Sequence, residues 1–236
     1  MGFAKIAAAG LAAASPLHAD PDVPTHAENV LLHVIAHEIG HALIREFDLP
    51  ILGPEEALAD DFATVLINTM LPDRAEVIIT DYATFLAADQ TEASLFSEYN
   101  DDVKRGARAV CMTYGYAPDR HAALAAQFGL DGDLATACAD SAPEVFRSWR
   151  RTLAPLMMPS TAPVTEVGLD FDDSDIAVFL ADSEVMAIAE GLLQQFDWHS
   201  RITLSIRACD GSAGWSRNGR TITVCDSYIQ RFAAAQ

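Results

Sequence analysis

AHEIGHALIREFDLPILGPEEALADDFATVL, residues 36–66, decides how this chain folds. Apolar residues recur at helical spacing on both sides of a short break at Leu49-Pro50 and Gly53-Pro54. That pattern predicts two helices folded back on one another. The first is expected from about His26 to Phe47, opened by Thr25-His26-Ala27-Glu28 as a capping box. The second is expected from about Glu55 to Met70, with Pro54 suited to its start and Leu58, Phe62, Val65 and Leu66 on its apolar side. His37 and His41 are four residues apart, so both imidazoles leave one face of the first helix. Glu56 and Asp60 share a face of the second, and an antiparallel return can bring Glu56 level with the histidine pair.

Two imidazoles one turn apart can grip one ion, and Glu38 beside them can take the proton of an activated water, which is the HExxH arrangement of zinc hydrolases. A catalytic zinc takes three protein ligands and keeps one position open. The expected ligands of one Zn2+ are therefore His37, His41 and Glu56, with Glu38 as general base returning its proton to the leaving amine. Asp60 is placed to accept the free N–H of a ligand histidine. Iron, manganese and cobalt also suit two histidines and a carboxylate. Glu55 and Asp61 are expected to be solvated charges near the helix start, where the dipole favours them. His33, a turn before His37, reads as a buried or rim histidine. Met157 and Met158 read as core filler. A donor for the developing oxyanion is needed. Tyr99, Arg105, Tyr114 and His199 are the polar candidates, and the sequence does not choose among them.

The 236 residues carry 34 Asp and Glu against 15 Lys and Arg, a formal charge of -19. No basic stripe exists to meet phosphates, so neither nucleic acid nor an anionic membrane surface is an expected partner. No segment has the run of about 20 apolar residues that a membrane span requires, so no integral membrane segment is expected in the mature chain. Residues 1–19 instead read as a signal peptide: Lys5, an Ala-rich apolar run, then Leu17-His18-Ala19 before an acidic start. A periplasmic or secreted location follows. The four cysteines, Cys111, Cys138, Cys209 and Cys225, form no CxxC and allow three pairings. Local order suggests Cys111 with Cys138 and Cys209 with Cys225, bonds that an oxidising compartment would keep.

The remaining chain predicts an α+β fold, mainly α: a helical domain, which its HExxH helix makes resemble a zincin-like one, ending in a disulfide-closed β-hairpin. Residues 20–236 read as a single domain, with a helical metal-site core over 26–154, a Pro- and Thr-rich loop over 155–173, and a helix plus hairpin over 174–236. Helices are expected at 74–90, 93–114, 119–128, 142–154 and 174–196. Ile202–Ile206 and Thr221–Val224 alternate as strands and are expected to pair as the hairpin. Folded back against the His37 helix, it would supply the edge strand to which a substrate backbone adds.

His37-Glu38-xx-His41 followed by Glu56-xx-Ala59-Asp60 resembles the gluzincin peptidases, whose later Glu is the third ligand. More specifically, the stretch is similar to a bacterial family of zinc-metallopeptidase type built around a domain of unknown function, with patterns like HELGHAL, LPVLG and EED-AAD. Cys111-Met112-Thr113-Tyr114-Gly115 and the Cys209 to Cys225 segment also resemble that family, so the likeness touches most of residues 28–155 and 185–229. There are departures. Ser212-Ala213-Gly214-Trp215 stands where relatives tend to have Asn-Ala-Phe-Tyr, and Tyr99 where they often carry a His. The resemblance implies an exported zinc-dependent peptidase acting on a peptide or protein. The alternative is a non-catalytic binding or scaffold protein retaining the metal site, for which Glu38 would have no use.

Overall fold

Helix α1 (Thr25–Glu46) has Leu31, Leu32, Ile35, Ile39 and Leu43 fully buried, and nearly all of its other residues are buried too. A helix buried on nearly every side must lie inside the molecule, and α1 is packed by helices and strands from both halves of the chain. The computed structural model describes residues 23–88, 101–159, 161–162 and 166–235. After α1 come α2 (Glu55–Met70), α3 (Ala75–Ala88), α4 (Asp102–Tyr116), α5 (Ala122–Gln127) and α6 (Gly132–Leu153). A short 3-10 turn at Ala154–Leu156 leads to β1 (Val167–Phe171), α7 (Asp175–Ala181), α8 (Glu184–Leu193), β2 (Ile202–Arg207), β3 (Ala213–Ser216), β4 (Thr221–Cys225) and α9 (Asp226–Ala234). The fold is mainly helical with one small sheet, as expected. One apolar cluster runs from Val23 to Phe232.

Close approach of α1 and α2 is what positions the site. A Cβ on Gly40 would lie 3.0 Å from Phe62 Cδ1 and 3.1 Å from Ala59 Cα. The missing side chain therefore lets the first turns of α2 lie against the histidine-bearing face of α1. A second close approach joins α4 to α6: a Cβ on Gly115 would meet the Cys138 carbonyl oxygen at 2.1 Å. Beside it the Cys111–Cys138 disulfide ties the same two helices, and Cys209–Cys225 ties the segment after β2 to the end of β4. Both local pairings are those the chain order suggests.

Several elements differ from the sequence reading. Thr25 opens no capping box, because the N-cap is Pro24 and no side chain caps the helix. Helix α6 begins ten residues before the expected 142 and runs through Pro143. Cys138, Ala142, Phe146, Trp149 and Leu153 form one buried stripe at helical spacing, and that burial carries the helix past the proline. The expected helix over 174–196 is two helices, divided where Ser183 caps α8 through its hydroxyl. The expected 155–173 loop contains β1. Strand order is β1-β2-β4-β3, with β1, β2 and β4 mutually parallel and β3 antiparallel at the edge. The hairpin is thus β3–β4, while Ile202–Ile206 joins Thr221–Val224 in parallel. The α7–α8 crossover supplies the length that a parallel β1–β2 pair requires. Residues 1–19 and Tyr99 lie outside the described residues.

Candidate metal centre

His37, Glu38 and His41 project from the middle of α1, and each is about 5–6 % exposed. Glu56, in the first turn of α2, faces them across the Gly40 contact. Its Oε2 lies 3.2 Å from His37 Nε2 and 3.4 Å from His41 Nε2, and the two Nε2 atoms are 3.0 Å apart. Glu56 Oε2 makes no well-formed hydrogen bond to either ring. Donors around a tetrahedral ion bound at 2.0–2.1 Å stand about 3.3 Å apart, so this triangle has the dimensions of a divalent-ion site. His37, His41 and Glu56 also form the one group of three or more His, Cys, Asp or Glu among the described residues whose geometry could hold a metal. Two nitrogens and one carboxylate oxygen suit zinc.

Each histidine is aimed by a carboxylate on its other nitrogen. His37 Nδ1 is 2.8 Å from Asp60 Oδ1, and His41 Nδ1 is 2.6 Å from Glu55 Oε1. A carboxylate accepts only, so each Nδ1 carries a proton, and Nε2 is the nitrogen left to offer a lone pair to an ion at the centre. Each carboxylate is backed in turn by an arginine. Arg105, on α4, donates to Asp60 through Nε at 2.8 Å and Nη2 at 3.0 Å, and Tyr82 donates its hydroxyl at 3.3 Å. Arg45 donates to Glu55 at 2.7 Å. The solvated role expected of Glu55 is therefore corrected. Asp61 is also corrected: it is 6 % exposed and held by both Arg108 Nε and Nη2. A helix dipole favours solvated acids at an exposed start, but here α1 and α4 cover the start of α2. Arg45 and Glu55 are ten residues apart and fall on different helices, so only the fold shows the pair.

The electrostatics follow from burial and pairing. Burial works against a charge on His37, but the Asp60 carboxylate on Nδ1 and the Glu56 carboxylate close to Nε2 outweigh it and hold the imidazole up at about 9. Burial pushes Asp60 and Glu56 up, yet the imidazoles, and Arg105 at Asp60, keep both carboxyls well below the usual carboxylate range. For Glu38 the balance reverses. Burial raises its carboxyl more than His37 and His41 lower it. Its Oε2 is buried without a hydrogen-bond partner, and the Trp215 backbone N–H of β3 donates to the carboxylate.

The other candidates divide. Arg105 is in the site as the anchor of Asp60. His33 is fully buried, stacked on Tyr82 at 3.5 Å and outside the donor trio. Burial holds its imidazole down at about 3. Tyr114 lies on α4 half-buried, and exposed His199 packs its ring 4.6 Å from Phe47. Neither joins the donor cluster. Met157 pairs with Phe196 as an isolated bridge, and no soft-metal group forms around it among the described residues.

Two imidazoles, a facing carboxylate and an adjacent buried glutamate define a metallopeptidase-type centre. A family model described as "Putative metallopeptidase" (DUF4344) matches residues 7–153, and the chain belongs to that family of enzymes. No curated protein and no solved structure matches the chain.

Proposed function

We propose that the protein is an exported zinc-dependent peptidase in which His37, His41 and Glu56 hold one Zn2+ and Glu38 is the general base. The observation that carries this is the meeting of His37 Nε2, His41 Nε2 and Glu56 Oε2 within 3.0–3.4 Å of one another. When bound, the ion would acidify a water and polarise the scissile carbonyl. Glu38, buried and raised, takes the proton of that water and passes it to the leaving amine. Asp60 and Glu55 keep both imidazoles in the tautomer and orientation that present Nε2. Burial around α1 excludes bulk water and strengthens every charge interaction at the site.

Strand β3 is the proposed docking edge for an extended peptide. It lies at the open side of the sheet, packs against α1, and reaches Glu38 through the Trp215 amide. A substrate backbone pairing there would pass the general base. The two disulfides support export, since such bonds persist in oxidising compartments. None of the described helices is long and apolar enough to cross a membrane.

The test is elemental analysis of the chain from Asp20 onward, with turnover of a fluorogenic peptide library, for wild type, Glu56→Ala and Glu38→Gln. Near-stoichiometric zinc, weakened by Glu56→Ala and retained by Glu38→Gln with turnover lost, is the expected result. Retained turnover in Glu38→Gln would remove the general base. A wild type that takes up no zinc on reconstitution would end the proposal.

A further inference from the structure

A cavity of about 420 Å3 lies at the opposite end of α2 from the metal centre, between that helix, the end of α4, and α6 with the turn that follows it. Its floor is apolar and buried, formed by Leu66, Phe146, Leu153 and Phe196. Met70 and Met157 line its sides, and their unbranched, adaptable side chains suit a flexible guest. Leu66 is ten residues beyond Glu56, so about 15 Å of helix separates the cavity from the donor trio. This volume is at the small end of ordinary ligand sites, which fits one chain and not two.

The charge at its rim is the informative feature. In a protein with 34 acidic and 15 basic side chains, the cavity lining contains no carboxylate and one cation, Arg150. A neighbouring cleft of about 360 Å3, on the other side of Trp149, includes both Asp61 and Glu144. On α6, Arg147 is paired with Glu144, whereas Arg150 has no ion-pair partner among the described residues. The helix dipole favours a cation in the last turn of α6, but it does not account for an apolar recess of ligand size beside that cation. An apolar tail carrying one negative head group satisfies both.

We propose that this cavity binds a single-chain aliphatic carboxylate, a medium-chain fatty acid, with its tail between Leu66 and Phe196 and its head group on Arg150. The site is independent of the metal centre, and its occupancy does not require His37, His41 or Glu56. Calorimetric titration of the whole protein with decanoate, kept below its micelle-forming concentration, tests it, with decanol and decyltrimethylammonium as the same tail without an anion. Saturable one-to-one binding of decanoate is expected, with decanol at least about tenfold weaker.

Arg150→Gln should lose about the same factor, because both changes remove one charge-assisted hydrogen bond. Ala154→Trp, at an exposed position on the rim, should block entry while leaving the melting temperature unchanged. Tighter binding of decyl phosphate would reassign the head group and overturn the carboxylate. Equal affinity for decanoate, decanol and the ammonium, unaffected by Arg150→Gln, would overturn the site, as would no saturable binding. Zinc uptake in the same preparations is a separate reading, so failure here is distinguishable from failure of the peptidase proposal.

Discussion

Asp60→Asn separates the two tasks given to one buried carboxylate. Asp60 receives His37 Nδ1 at 2.8 Å, two Arg105 bonds at 2.8 and 3.0 Å, and Tyr82 at 3.3 Å. The asparagine is nearly isosteric but uncharged, so the guanidinium of Arg105, 13 % exposed, loses its principal counter-charge. Removing one partner of a buried ion pair costs about 3–5 kcal/mol. Asp102 stays 3.3 Å from Arg105 Nη1 and offsets part of this, which places the expected loss near the lower end, about 3 kcal/mol. Urea unfolding of the metal-free protein at neutral pH measures it. The same change loosens His37 and should weaken zinc binding about 10–100-fold in competition with a chromophoric chelator. Adding Arg105→Met removes the stranded charge, so the double variant should recover most of the stability and none of the zinc affinity. A loss under about 1 kcal/mol with unchanged zinc affinity would refute the reasoning, because an anchored second-layer carboxylate cannot be neutral in both respects.

Glu55→Gln should weaken zinc about tenfold, and wild-type affinity should fall with salt in part through this pair, since the side chain of Arg45 is 46 % exposed while that of Arg105 is 13 %. Chelator competition at two ionic strengths reads both effects. The charge His37 gains on folding stabilises the metal-free protein fully below about 6.5 and is lost as pH rises through about 9. Asp60 and Glu56, held low, contribute above their ordinary range and lose that contribution on acidification. Metal-free stability should therefore fall on both sides of mildly acidic pH. Zinc must displace the His37 proton, so its affinity should rise toward pH 9 with measurable proton release, seen by calorimetry in buffers of different ionisation enthalpy. Gly115→Ala places a methyl against the Cys138 carbonyl and should cost about 1–3 kcal/mol or more in thermal melts, outweighing any gain in helix propensity.

What the sequence made legible was local. The helical spacing of residues 36–66 and the Pro54 start placed α2 at its observed bounds, and the four-residue step between His37 and His41 put both rings on one face. Asp60 was legible for the same reason, being one turn from Glu56. Glu55 was not, because its reach to His41 depends on how α2 meets α1, which Gly40 decides. Asp61 was read as solvated because its cover comes from α4, 47 residues away. Strand β1 is five residues long and emerges from a Pro- and Thr-rich stretch. Its existence depends on a parallel partner 35 residues on, and alternation of side chains carries no information on parallel against antiparallel pairing. The helix expected over 142–154 starts ten residues earlier, and only the buried stripe from Cys138 to Leu153 shows why it runs through Pro143.

X-ray absorption of the zinc-loaded protein at the metal edge tests the central claim most directly. A four-coordinate ion is expected, with two imidazole nitrogens and oxygen ligands at about 2.0–2.1 Å, the imidazole signal halved in His41→Ala and the oxygen shell altered in Glu56→Ala. A six-coordinate oxygen shell without imidazole scattering, unchanged by either substitution, would show that His37, His41 and Glu56 do not form the metal centre.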